Sequence, residues 1–126
     1  MYKTTLKAGP SIDISYRSFT FQYAINGEAP NPLEAMYASI AGCAGVYAKK
    51  SCKSMGIPDE GISISVKPIA TPSHPLLPVK IVTTLSFPPH FTVEQRAAIQ
   101  TSISQCAVKE LIAQGASIEF VQEEVR

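Results

Sequence analysis

Charge is scarce in this chain, and what there is nearly cancels. Lys and Arg number 11 and Asp and Glu 10, giving a net charge of +1 and a charged fraction of 17%. No basic patch or charge run stands out, which argues against nucleic acid or an anionic membrane surface as the main partner. Long apolar runs are missing too. The N-terminal MYKTTLKAGP has no stretch of signal-peptide type. The longest uncharged run, Ala35 to Ala48, falls short of the roughly 20 residues needed to cross a bilayer. Cysteine is sparse and odd in number, at 3, where a stapled secreted scaffold has an even set. These absences predict a cytoplasmic protein in a reducing compartment, where a disulfide is transient and catalytic rather than structural. The two histidines, His74 and His90, sit in proline-flanked loops and read as surface residues. No His/Cys spacing resembles a zinc or haem site, and no internal repeat or low-complexity tract is found.

What is present fits one domain over residues 1–126, long enough to bury a core. Met1 to Leu6 reads as a short strand. Ile12, Ile14 and Tyr16, then Phe19, Phe21 and Tyr23, alternate as one or two strands with a single buried face. The phase shift between Tyr16 and Phe19 predicts a bulge or break at Arg17-Ser18. After the Asn26-Gly27 turn, a helix is announced by Asn31 as N-cap, Pro32 at the first position and Glu34 at the third. It is expected to run to Met55 and stop at Gly56. Ala35, Ala38, Ser39, Ala41, Gly42, Ala44, Gly45 and Ala48 leave it small on nearly every face, so it reads as a central helix wrapped by sheet or by a partner. Each glycine would cost about 1 kcal/mol against alanine on an exposed helix, which close packing offsets.

Beyond that helix, Ile62, Ile64 and Val66 alternate as a half-buried strand. Lys67 to Pro78, with four prolines, reads as an exposed connector, and Val79 to Phe87 as another strand. Thr92 with Gln95 caps a second helix predicted to reach Gly115, with Ile99, Ile103 and Cys106 on one stripe. A last strand is expected from Ser117 to Val121. The order strand-strand-helix-strand-strand-helix-strand defines an α+β domain rather than a doubly wound sheet.

Cys43 lies in the middle of the small-residue helix and Cys106 on the second helix. Two readings of the pair stand: small buried hydrophobes, since free cysteine is among the most buried residue types, or thiols that meet and do redox chemistry. Cys52 lies nine residues after Cys43, about 180° around the helix. It reads as a bystander, or as an oxidisable surface thiol beside Lys50 and Lys53.

The segment Asn31-Pro32-Leu33-Glu34-Ala35-Met36-Tyr37-Ala38-Ser39-Ile40-Ala41-Gly42-Cys43 resembles the first-cysteine helix of the OsmC/Ohr family. The later helix with Cys106, Val108 and Leu111, followed by a short strand, agrees in order and spacing. The likeness extends from about Ile12 to Val121. Two positions depart from the family pattern. Ala107 follows the second cysteine where proline is frequent, and Leu33, not Glu34, stands ten places before Cys43. The register fits the smaller OsmC-like proteins better.

The resemblance implies an intertwined homodimer whose antiparallel sheets enclose the long central helix. It also implies a thiol peroxidase that needs no metal or flavin cofactor. Cys43 would attack a small organic hydroperoxide or hydrogen peroxide, Cys106 would close a disulfide on the resulting sulfenic acid, and a thiol reductant would reopen it. The attacking sulfur must be a thiolate. Cys43 is more than two turns from the start of its own helix, so a nearby cation is required. Arg17, where the strand alternation breaks, is the candidate, since a guanidinium pairs with carboxylate and thiolate at once. Glu34 could orient it. Plain readings stand beside both, a solvated strand arginine and a helix cap. The alternative to an enzyme is a non-enzymatic dimeric module that holds a small apolar ligand at the subunit interface.

Overall fold

A computed structural model describes residues 1–123, so Arg126, one of the three arginines, lies outside them. In chain order the elements are β1 (Ser11–Tyr16), β2 (Phe19–Ala24), α1 (Pro32–Met55), β3 (Ser63–Thr71), β4 (His74–Ser86), α2 (Val93–Ile103) and α3 (Ala107–Gln114). Two antiparallel strand pairs and three helices make a mixed α/β fold. The chain divides into two compact units, Met1–Ala41 with Val66–Thr83, and Gly42–Ser65 with the residues from Thr84 onward.

In the first unit, β1 and β2 pair antiparallel with Tyr16 opposite Phe19 and Ser11 opposite Ala24. The expected break at Arg17-Ser18 is the hairpin turn itself, and Arg17 sits there with a positive φ of 54°. A side chain at that first turn position is forced into the left-handed region that glycine occupies freely. The expected strand from Met1 to Leu6 shrinks to one bridge, Lys3 opposite Ser15. Tyr2 nevertheless stacks on Tyr16, with ring centroids 4.2 Å apart. Only Ala24 and Ile40 are buried in this unit, while Phe19, Phe21, Ile25 and Met36 are exposed.

The start of α1 is as its sequence announces. The Glu34 N–H donates to Asn31 Oδ1 at 2.9 Å and the Asn31 N–H to Glu34 Oε1 at 3.0 Å, a complete reciprocal cap. Its end is a Schellman motif: Gly56, at φ 67°, donates to Lys53 O at 3.1 Å and Ile57 to Cys52 O at 3.0 Å. Ile40, Ala44, Ala48 and Cys52 recur every four residues and are all buried, so one stripe of the helix is covered. On the other faces a Cβ added at Gly42 or Gly45 would meet nothing within 4 Å. The wrapping expected around the small-residue helix is therefore one-sided within the described residues.

In the second unit, Ala48, Cys52, Phe91 and Ile99 form the core, with Ile57, Ile62, Ile64, Phe87 and Ile103 against it. Ser102 Oγ donates to Tyr47 O at 3.3 Å and ties α2 to α1. Cys52 is 1% exposed, which rules out the surface-thiol reading: it is a core residue. It does lie on a different face from Cys43, as the helical spacing requires.

Three other expectations are corrected. The segment Lys67 to Pro78 is not a connector: β3 and β4 continue through it and turn at Pro72-Ser73. A two-stranded sheet has two outer edges, and a proline whose missing N–H faces outward costs no ladder bond. The second helix is two helices. Cys106 takes extended backbone, φ −64° and ψ 138°, and restarts the chain as α3, while the Ser104 hydroxyl bonds back to Thr101 O at 2.6 Å. Ser117 to Val121 forms no strand, and Ile118, Phe120 and Val121 are 81%, 92% and 77% exposed. Alternation makes a strand only where another edge takes up its backbone bonds, and the described residues supply none.

Candidate active site

The two cysteines, 63 positions apart in sequence, meet in the second unit. Helix α1 carries Cys43, half-buried, and the α2–α3 junction carries Cys106, buried at 2% exposure. The break between α2 and α3 is what brings them together. Because Cys106 is the N-cap of α3, its sulfur accepts the Lys109 N–H at 3.3 Å, the position a serine or threonine oxygen takes at most helix starts. The Cys43 sulfur reaches the same helix end. There the Val108 and Ala107 N–H groups and the Cys106 thiol all favour its anion. These first amides of α3 have no partner inside their own helix and carry its positive end.

The electrostatics of the two sulfurs diverge. Burial pushes the Cys43 thiol up, but the Val108 N–H, the Cys106 thiol, the Ala107 N–H and the Lys50 charge outweigh it and hold the thiol below its ordinary value. Burial pushes Cys106 up, and its hydrogen bond to Cys43 pushes it the same way. The two thiols are pushed in opposite directions, so Cys43 gives up its proton before Cys106 does. Cys52 is also pushed up, by burial first and then by Asp59. Of the three sulfurs, Cys43 is the one poised to react as a thiolate.

Lys50 is the cation that acts on Cys43 in this unit. It lies seven residues further along α1, nearly two full turns, and so on the same face. Its ammonium stands 5.2 Å from the Tyr47 ring centroid. Helical spacing could have marked Lys50 in the sequence. The amides of Ala107 and Val108 leave no side-chain signature to find. Cys43 is far from the start of its own helix, and the helix start that acts on it is that of α3.

Arg17 and Glu34 belong to the first unit. The Arg17 guanidinium lies over the Tyr16 ring, 5.0 Å from its centroid. Glu34 caps α1 and lines a cavity of about 580 Å³ with Phe21, Tyr23, Ala35, Ala38 and Ser39. Among the described residues the ion pairs are Lys49–Asp59 and Lys109–Glu110, so Arg17 and Glu34 do not pair with each other within one chain. No helix among these residues is long and apolar enough to cross a membrane.

A mixed α/β scaffold that sets two free thiols against one helix end defines a two-cysteine protein. The chain belongs to the family of OsmC-like proteins, whose pattern matches residues 25–121. Its fold is similar to that of a proposed osmotic stress induced and detoxification response protein from Psychrobacter arcticus. The two share 14% identity over 86% of this chain and 85% of that one, with a TM-score of 0.71. At that identity the likeness is one of fold. No protein of curated function matches this chain.

Proposed function

We propose that this protein is a cysteine-dependent peroxidase acting on small organic hydroperoxides or hydrogen peroxide. The observation that carries this reading is the placing of Cys43 and Cys106 at the start of α3, with the Cys43 thiol held below its ordinary value and the Cys106 thiol above it. The Cys43 thiolate attacks the terminal peroxide oxygen, the O–O bond breaks, and a sulfenic acid forms on Cys43 while an alkoxide or hydroxide leaves. Cys106 then displaces hydroxide from that sulfur and closes the disulfide. A thiol reductant restores the pair. Membership of the OsmC-like family supports a hydroperoxide-related role.

Arg17 and Glu34 enter as the guanidinium and its orienting carboxylate, delivered in the homodimer. One feature supports Arg17. It keeps an arginine at φ 54°, where glycine fits without strain, and strained backbone is retained where a side chain is needed. The homodimer is supported by the open flank of α1 at Gly42 and Gly45 and by exposed Met36 and Val46 on the same helix.

Stoichiometric hydroperoxide followed by peptide mapping should yield an intramolecular Cys43–Cys106 crosslink with Cys52 still free. A modified Cys52 with Cys43 and Cys106 both reduced would reject the reading. Light scattering on the eluting protein should give twice the chain mass of 13.6 kDa, and a stable folded monomer at micromolar concentration would reject the dimer.

A further inference from the structure

We infer that Lys50 selects the substrate by pairing with a carboxylate on it, so that the hydroperoxides this site prefers carry an anionic group a short carbon chain away from the O–O bond. This inference rests on the peroxidase reading and deepens it. Three lysines crowd the end of α1, and the structure accounts for two of them. Lys49 donates to both carboxylate oxygens of Asp59 at 3.2 Å. Lys53 stands in the last turn, where its charge meets the negative end of the helix. Lys50 lies before that turn, is exposed, and has no carboxylate partner among the described residues.

Its place on the helix gives that charge a use. Spacings of four and three residues put Cys43, Tyr47 and Lys50 on one face of α1. From Cys43 to Lys50 the helix rises about 10 Å. A helical side chain leans toward the N-terminus, which carries the Lys50 ammonium back toward the thiol. There it lies 5.2 Å from the Tyr47 ring centroid, a contact that holds it along the helix. Thiol, aromatic ring and ammonium follow one another in a row. The row matches a molecule with a peroxide head, an apolar spacer and an anionic tail. The chemistry at the head is unchanged. The Cys43 thiolate takes the terminal oxygen and is oxidised by two electrons to the sulfenic acid. The O–O bond is reduced by two, and the departing alkoxide takes a proton from water to leave a hydroxy acid.

The test is a comparison of two hydroperoxides of one carbon skeleton, one ending in a carboxylate and the other in its methyl ester, consumed by the whole protein. Both meet the same Cys43 thiolate, so the ratio of their kcat/KM values cancels any change in its ionisation or nucleophilicity. Lys50→Gln should lower the carboxylate-to-ester ratio about two- to fivefold, the range of an exposed ion pair, and Lys50→Glu should lower it further. The wild-type ratio should shrink with added salt. Lys53→Gln removes the same charge one turn farther from Cys43 and should change the ratio less. A ratio that both Lys50 variants leave unchanged, or that Lys53→Gln lowers as much, overturns the assignment to Lys50 while the peroxidase reading stands. A preference for carboxylates confined to the thiol reductants overturns it too. If the wild type consumes neither hydroperoxide, the peroxidase reading fails and this inference falls with it.

Discussion

Replacing Ala107 by proline would remove one hydrogen bond and almost nothing else. Ala107 is the first residue of α3, where proline's fixed φ suits the helix and the missing N–H has no partner within it. Cys106, the residue before it, already has ψ 138°, inside the extended range that a following proline demands. The fold should therefore be kept, and proline at a compatible site adds about 0.4–1 kcal/mol of stability through the unfolded chain. What is lost is one of the amides directed at the Cys43 sulfur.

A hydrogen bond to a charged group contributes about 1.5–3 kcal/mol. Cys43 is half-exposed, so water replaces part of it, and we take about 1.4 kcal/mol, or one pKa unit. Below both titrations the thiolate fraction falls roughly tenfold. The more basic thiolate regains roughly threefold in nucleophilicity for a Brønsted slope of about 0.4–0.5, which leaves the variant about threefold slower in that pH range. Above both titrations the thiolate content is equal, and the variant should be about threefold faster. The assay is alkylation rate and ultraviolet thiolate absorbance against pH, beside peroxide consumption. The crossing of the two rate profiles is the signature. An unchanged titration, or a variant slower at every pH, would refute the claim that α3 activates Cys43.

The remaining predictions concern the frame around the site. Arg17→Gly relieves the positive φ and should stabilise the hairpin by about 1 kcal/mol while peroxide consumption falls severalfold. Calorimetry with turnover checks both, and undiminished turnover would make Arg17 a turn residue only. Gly61→Ala should destabilise by about 1–3 kcal/mol in urea, because Gly61 has φ 90° and a Cβ there would lie 2.7 Å from Pro88 Cγ. Cys52 is pushed up in the folded state, so its contribution to stability is full below the unfolded thiol value and declines as pH rises above it. Cys43, held down, contributes with the opposite sign: stability that is present above the unfolded thiol value and lost as pH falls through its folded one. Urea midpoints measured upward from neutral pH should thus decline less steeply in Cys52→Ala than in the wild type, and parallel curves would count against this account.

Local chemistry made much of this protein legible before any contact was known. Asn31, Pro32 and Glu34 start α1, Gly56 ends it, and Thr92 with Gln95 starts α2, because each of these signals acts between residues three or four apart. The turn at Arg17-Ser18 is written in the alternation on either side of it. Helical spacing puts Cys52 on a different face from Cys43, but that this face is buried is a tertiary outcome. Pairing across the chain follows from none of these. The alternating residues from Ser117 to Val121 predict a strand, yet a strand needs a neighbouring edge that no local pattern guarantees. The prolines between Lys67 and Pro78 read as a loop because a sequence does not show that a sheet has only two strands and both edges free. The extended backbone at Cys106, which splits one expected helix into two, is likewise a tertiary outcome. It decides the chemistry, because the state of Cys43 is set by the amides of Ala107 and Val108, far along the chain, and backbone amides are the same in every sequence. The residue types named the pair of thiols, and only the fold decided which of them ionises more readily.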